Sequence, residues 1–163
     1  MELTEFLDKN IIRTSLSADN KLDAIKKMSD LLMENGYLSD AKTFYEDVLE
    51  REKQGETGIG NYIAIPHGQS DSVKKTTLAI CKLDKEIEWE TLDGKGVKVI
   101  LLFAVQNDVD FAKTHLLLLS QVARKLAKSE VVDSLLNAQT SEDVINCFKF
   151  KRLKQPVKRE RYL

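Results

Sequence analysis

The chain of 163 residues is poor in the residue types that build disulfide frameworks, metal sites and membrane spans. It has two cysteines, Cys81 and Cys147, and their spacing matches no metal motif, so we expect two buried, reduced thiols and no metal. No apolar run approaches the length of a bilayer-spanning helix, and the first residues lack the basic region of a signal peptide. We therefore expect a cytoplasmic protein without direct membrane insertion.

The formal net charge of −1 hides an uneven distribution. Residues 149–163 carry seven basic side chains against the single acid Glu160, so residues 1–148 are acidic. The basic segment has no interleaved aromatic residues and no nucleic-acid motif, which is typical of a solvated terminal segment. We expect one domain over residues 1–148 and a basic C-terminal tail over residues 149–163. Nucleic acid is not an expected partner, and such binding is kept only as a minor alternative.

The composition, 42% hydrophobic and 31% charged, is ordinary for one globular domain. Apolar spacing predicts five helices, between Asn20 and Gly36, from Ser39 towards Lys53, and near residues 112–127, 130–136 and 141–148. Strand-like runs lie at residues 10–15, 62–65, 76–83 and 97–105, the last almost continuously apolar and so central in a sheet. This order predicts an α/β fold, a three-layer α/β/α sandwich with a mixed central sheet.

Several helix ends carry recognisable signals. Asp19 or Asn20 can cap the first helix, Ser39 the second, and Thr140 with Asp143 forms a capping pattern at the last. The first helix should bury one stripe made of Leu22, Ile25, Met28 and Leu32. Arg51 falls near the C-terminus of the second helix, where the helix dipole favours a positive charge.

One of only two histidines, His67, lies between Pro66 and Gly68, directly after the strand-like run Tyr62–Ile65. Proline fixes its own backbone angle φ, and glycine permits a positive φ and leaves space beside the imidazole. We therefore expect His67 to stand exposed just past the end of a strand. Reactive side chains of α/β folds commonly occupy such positions.

The second histidine, His115, shares a helical stripe with Leu118, Val122 and Leu126. It should therefore face the protein from the first turn of its helix. A hydrogen-bonded core histidine is one interpretation of this position. The other is a site for an anion, since the first turn of a helix presents free N–H groups and a partial positive charge.

A glycine-containing loop, Thr57-Gly58-Ile59-Gly60-Asn61, precedes His67. It is not a dinucleotide fingerprint, because Ile63 occupies the position of the third glycine, and no Walker lysine follows. Nucleotide binding is thus not expected. The glycines indicate either a simple turn or a loop that passes tightly beside the His67 segment.

Five segments, taken in order and spacing, resemble the IIA component of the fructose/mannitol class of bacterial sugar phosphotransferase systems. They are Arg51-Glu52-Lys53, Thr57-Gly58-Ile59-Gly60-Asn61, Ile63-Ala64-Ile65-Pro66-His67-Gly68, Trp89-Glu90-x-Leu92-Asp93-Gly94, and Thr114-His115-Leu116 followed by Leu119-Ser120. The nitrogen-regulatory IIA proteins share much of this pattern. The resemblance runs from about residue 3 to Phe148, with Tyr62 in place of a commoner small residue and no proline after Val105.

The resemblance implies that His67 is the phosphorylated nucleophile, with His115 and Arg51 as the other active-site residues. It also implies a binding surface that includes Thr57, Gly58, Gly60, Asn61 and Gly68. The implied partners are phosphorylated HPr as donor and a cysteine of the cognate IIB domain as acceptor, and the implied outcome is sugar import, most simply of the fructose class. No cofactor is needed, since an imidazole nitrogen is itself a competent nucleophile for phosphorus.

Three alternatives compete with this interpretation. A regulator of the nitrogen class would carry the same phosphohistidine and act by binding other proteins, although Ile87–Glu90 and Ser70–Lys75 favour the fructose type. A zinc enzyme that uses both histidines lacks a carboxylate motif such as H-E-x-x-H. A pure interaction module would tolerate the loss of either histidine.

Overall fold

The computed structural model describes residues 2–149, so the predicted basic tail lies outside the described residues apart from Lys149. Two short 3-10 turns, Leu3–Phe6 and Lys9–Ile11, come first. The strands that follow are β1 Ile12–Leu16, β2 Gly58–Gly60, β3 Ile63–Ala64, β4 His67–Ser70, β5 Thr77–Ile87 and β6 Val97–Gln106. The helices are α1 Lys21–Glu34, α2 Ala41–Glu52, α3 Phe111–Leu126, α4 Ser129–Leu136 and α5 Ser141–Cys147.

The strands form one mixed sheet in the order β1-β5-β6-β3-β2, and β4 also pairs with β6. Strand β6 is antiparallel to β5 and parallel to both β3 and β4. The two short strands therefore follow one another along the same edge of β6, with β4 beside its C-terminal half. The predictions of a mixed sheet and of a central strand near residues 97–105 are confirmed.

Helices cover both faces of the sheet, which confirms the three-layer prediction. Successive residues of β5 face opposite sides, because side chains alternate along a strand. The first face packs on α1 and α2 through buried side chains that include Ile25, Met28, Phe44, Val48, Ala79, Cys81, Leu102 and Ala104. The second packs on α3, α4 and α5 through Leu78, Ile80, Leu101, Phe103, Leu118, Val122, Leu135 and Val144.

Two details of the helix predictions are wrong. Asp40, not Ser39, caps α2, because the Ser39 N–H donates to the Ser72 carbonyl at 2.8 Å and holds that residue outside the helix. Leu22 is 52% exposed, because it lies about a quarter of a turn from the centre of the buried stripe. The Asn20 cap of α1 and the Thr140–Asp143 capping box of α5 are confirmed.

Both cysteines are free thiols, but only Cys81 is fully buried, while Cys147 is half-buried. Among residues 2–149, no helix is both long enough and apolar enough to cross a membrane.

Candidate active site

His67 is the first residue of β4, where it pairs with Phe103 of β6, and only 8% of its surface is exposed. The predicted exposed histidine past a strand end is thus wrong. The preceding strand is shorter than expected, since it is limited to Ile63–Ala64. The chain then re-enters the sheet after Pro66, whose carbonyl accepts a hydrogen bond from the Phe103 N–H at 3.0 Å. Pairing with β6 therefore draws His67 into the sheet.

Three rings meet at this point of the sheet. The His67 imidazole stacks on the fully buried Phe103 ring, with 5.0 Å between ring centroids. His115, from α3, meets His67 edge-on at 4.7 Å and Phe103 at 5.9 Å. His115 lies in the second turn of α3, not in the first as predicted, because the helix begins at Phe111. The predicted stripe is confirmed, since Leu118, Val122 and Leu126 are all buried.

Gly68 lets α2 approach this strand closely. Its φ is not in the left-handed region, so the expected use of a positive φ is wrong. A Cβ atom at position 68 would lie 2.4 Å from the Phe44 ring and 2.7 Å from a Val48 methyl group. Glycine is therefore required because the helix packs directly on the strand. Arg51, one turn beyond Val48, is brought towards His67 by the same contact.

A cleft of about 280 Å³ opens beside the two histidines. Its lining comes from α2 and the segment after it, from β4, from the end of β6 and from α3: Asp47, Glu50, Arg51, Gln54, His67, Gln69, Val105 and His115. The structure thus gathers the three residues predicted as an active site, which come from three separate elements. The cleft is lined by two acidic residues, Asp47 and Glu50, and by one basic residue, Arg51.

Both imidazoles are held neutral. Burial, then the neighbouring His115 and Arg51, lowers the pKa of His67 to about 3. Burial and Arg51 also lower the pKa of His115. Nδ1 of each ring is enclosed, and the His67 ring makes a hydrogen bond to the Ile65 backbone. A neutral imidazole keeps a lone pair for attack on an electrophile, so His67 has the protonation state of a nucleophile.

The lowered pKa of His67 predicts a loss of stability in mild acid. The unfolded chain binds a proton at His67 below about pH 6.5, whereas the folded chain resists protonation until about pH 3. Folding stability should therefore fall as the pH drops below about 6.5. Between about pH 7 and pH 5 we expect His67 to account for about 1–2 kcal/mol of this loss, measured by urea unfolding.

The matched control for the acid effect is His67→Gln, which has no titrating ring. Its free energy of unfolding should change less over the same pH interval. Carboxylates whose pKa is lowered in the folded state, such as those of Asp40 and Asp143, also stabilise the fold. That stabilisation is lost only at lower pH, where the carboxylates become protonated. Equal acid sensitivity of wild type and His67→Gln would contradict a neutral, buried His67.

The glycine-containing loop of residues 57–61 does not line the His67 cleft. Gly60, with φ +91°, and Asn61, with φ 56°, turn beside Asp93, whose carboxylate accepts from the Asn61 N–H at 2.9 Å. This turn stands at the start of β6, while His67 pairs six residues further along that strand. Gly58 packs on Thr91, where an added Cβ would lie 2.4 Å from the side chain. The structure does not bring these residues to the cleft, so their part in binding stays a prediction.

Other residues that line the cleft or support His67 belong to no sequence motif. Phe103 sits in a continuous apolar run, and only the pairing of β4 with β6 shows that it supports His67. Asp47 lies four residues before Arg51, so helical spacing would have placed it on the same face. Gln69 lies two residues after His67 and reaches Asn107, its Nε2 donating to that side chain at 2.9 Å.

Comparisons with known proteins lead to the same family as the motifs in the sequence. Residues 5–151 match the family model described as phosphoenolpyruvate-dependent sugar phosphotransferase system, EIIA 2. The chain is 32% identical over 146 residues to the fructose-specific EIIABC component of the phosphotransferase system of Bacillus subtilis strain 168. That match covers 90% of this chain and 23% of the relative, so the chain spans about a quarter of that protein.

Two further matches span almost the whole of the relative. The nitrogen regulatory protein of Klebsiella oxytoca is 34% identical over 146 residues, with 88% of each chain covered. The crystal structure of nitrogen regulatory protein IIA-Ntr from Neisseria meningitidis superposes with a TM-score of 0.82 at 28% identity, covering 90% of this chain and 99% of that one. With a family model matched over most of its length, the chain belongs to the EIIA 2 family of the phosphoenolpyruvate-dependent sugar phosphotransferase system.

Proposed function

We propose that this protein is a cytoplasmic phosphocarrier that accepts a phosphoryl group on His67 from phosphorylated HPr and passes it to a cysteine of a IIB domain. The observation that carries the proposal is a neutral imidazole in a small cleft, with a second imidazole whose ring centroid is 4.7 Å away and with Arg51 lining the same cleft. His67 supplies the nucleophile, and Arg51 and His115 stabilise charge on the transferring group.

The enclosure of Nδ1 supports Nε2 as the reacting nitrogen of His67, because an enclosed atom cannot reach the phosphorus of a donor. A new P–Nε2 bond forms as the P–N bond of the donor phosphohistidine breaks, and the donor imidazole leaves with the electron pair. In the second half of the cycle the thiolate of the IIB domain attacks the same phosphorus, a P–S bond forms, and the P–Nε2 bond breaks.

The surface beside the cleft is suited to brief contacts with two protein partners in turn. Val109 and Leu116, just before and early in α3, are 97% and 67% exposed, and Leu116 directly follows His115. Asp47 and Glu50 place negative charge on the other side of the cleft. A small apolar patch with a charged margin favours weak, fast-exchanging complexes.

We place the protein in sugar import of the fructose class. The support is the similarity to the Bacillus subtilis relative, which is named a fructose-specific EIIABC component. This chain matches about a quarter of the length of that relative. A second candidate is a regulator of the nitrogen class that acts through binding according to its phosphorylation state. The observation in its favour is the match to nitrogen regulatory proteins over 88% of both chains.

Reconstituted transfer distinguishes these functions. The protein would be incubated with phosphoenolpyruvate, enzyme I and HPr, and the labelled form would be mixed with a panel of purified IIB domains. We expect acid-labile labelling of the protein, followed by rapid loss of label to the IIB domain of a fructose system. Labelling without transfer to any IIB domain would favour the regulator, and an unlabelled protein would contradict both candidates.

A further inference from the structure

Glu52, the residue after Arg51, is a carboxylate with only 6% of its side chain exposed. Its Oε2 accepts a hydrogen bond from the Thr57 hydroxyl at 2.6 Å, and its Oε1 lies 2.7 Å from Nζ of Lys21. Lys21 also contacts Oε1 of Glu90 at 2.9 Å and lies over the Trp89 ring at 5.0 Å. This network joins the start of α1, the end of α2, the segment before β2 and the loop after β5.

None of the residues Lys21, Glu52, Thr57 or Glu90 lines the His67 cleft. Their contacts can still affect the position of Arg51 in the cleft, because Arg51 and Glu52 are the last two residues of α2. Successive helical residues point about 100° apart around the axis, so one side chain can enter the network while the other reaches the cleft. The rotation and height of this last turn therefore decide where the guanidinium lies.

The Arg51 side chain is held only weakly by its own hydrogen bond. Its Nη1 donates to the Gly55 carbonyl at 3.4 Å, a long and weak hydrogen bond. Glu52, by contrast, accepts a short hydrogen bond from the Thr57 hydroxyl and lies in short contact with the partly buried ammonium group of Lys21. Charge-assisted bonds of this kind are the stronger class, and a buried carboxylate that loses its partner is costly. The rigid residue of the pair is thus Glu52.

We propose that Glu52 is a positioning residue, which Lys21 and Thr57 hold so that the last turn of α2 directs Arg51 at His67. The inference rests on the proposed function. It also gives Thr57, first considered for binding, a defined task one step removed from the cleft. The competing possibility is that the network stabilises the fold alone.

The test is a double-mutant cycle in transfer from phosphorylated HPr. Glu52→Gln should slow transfer by roughly 10 to 10² in the wild-type background, since small misplacements of a catalytic group have effects of this order. In the Arg51→Ala background the same change should have almost no further effect. Thr57→Val is a milder second variant should Glu52→Gln fail to fold, and Thr57→Ser, which keeps the hydroxyl, should restore the rate.

A second readout does not depend on transfer. Arg51 lowers the pKa of His115, so Arg51→Ala should raise it in an NMR titration. If Glu52→Gln or Thr57→Val lets Arg51 move away, the pKa of His115 should rise in the same direction. Direct removal of the Glu52 charge would lower it instead, because a nearby negative charge favours the imidazolium form. The sign of the shift therefore separates displacement of Arg51 from a simple charge effect.

The outcomes are distinguishable. The positioning role is overturned if a folded Glu52→Gln protein transfers phosphate at the wild-type rate. It is also overturned if Glu52→Gln slows transfer by the same factor in the wild-type and Arg51→Ala backgrounds. If the wild-type protein accepts no phosphate, the proposed function fails and the titration alone decides. A His115 pKa in Glu52→Gln and Thr57→Val that moves towards the Arg51→Ala value then supports positioning, and an unmoved or lowered value overturns it.

Discussion

His67→Ala is expected to abolish acceptance of the phosphoryl group, with labelling reduced to background. The reason is chemical, because the variant lacks the imidazole nitrogen of residue 67 that would form the covalent P–N bond. The measurement is acid-labile label on the protein after incubation with phosphoenolpyruvate, enzyme I and HPr. This is the largest effect expected in the molecule, since no rate remains once the covalent intermediate cannot form.

Two controls make the result interpretable. His67→Gln keeps most of the volume above the Phe103 ring without an imidazole, so it should be equally inactive while losing less stability than His67→Ala. Circular dichroism of both variants checks that the sheet has formed. Acid-labile label that persists at the wild-type level in His67→Ala would mean that another residue, with His115 the first suspect, carries the phosphate.

The parts of this fold that could be predicted from sequence depend on local signals. The apolar run of β6 identifies a central strand, and the Asn20 and Thr140 side chains mark helix starts through their own hydrogen bonds. The stripe of Leu118, Val122 and Leu126 fixes which face of α3 is buried. Each of these signals spans a few residues, within the reach of helical or strand periodicity.

The parts that were missed depend on contacts distant in sequence. Pro66 and Gly68 predict a break and an open position, but the pairing of His67 with Phe103, 36 residues later, draws the ring into the sheet. Gly68 serves the approach of Phe44 and Val48, which no local rule reveals. The burial of Glu52 likewise depends on Lys21, which belongs to another helix.

The resemblance to a family grouped Arg51, His67 and His115 as one predicted site, which composition and periodicity alone could not do, and the structure brings all three to one cleft. Physical reasoning from sequence left His115 open between a core histidine and a site residue, and the edge-on contact with His67 now places it at the cleft. The same resemblance grouped Gly60 and Asn61 with the site, whereas both lie in the turn beside Asp93. A motif records which residues recur together, and some of them recur because a turn requires them.

Arg51→Ala should slow phosphoryl transfer by about 10² to 10³, the usual result of removing one charge-stabilising group. The fold should be little changed, because the contact of Arg51 with the Gly55 carbonyl is long. Arg51→Lys is the matched variant, since it keeps the charge without the planar set of donors that suits a phosphoryl group. Its rate should therefore fall between those of wild type and Arg51→Ala. Single-turnover labelling from phosphorylated HPr measures all three.

His115→Ala should slow transfer to a similar degree while leaving His67 able to accept label slowly. His115 also packs against the His67 ring, so a drop in rate could reflect a loosened nucleophile. Comparison with His115→Gln, which fills part of the space and keeps N–H donors, separates these causes: rescue of stability without rescue of rate indicates a role in the transfer itself. A melting temperature that falls sharply in His115→Ala, with an undiminished transfer rate, would instead make His115 a packing residue, and Arg51 would then be the one remaining group of the predicted triad to stabilise the transferring phosphoryl group.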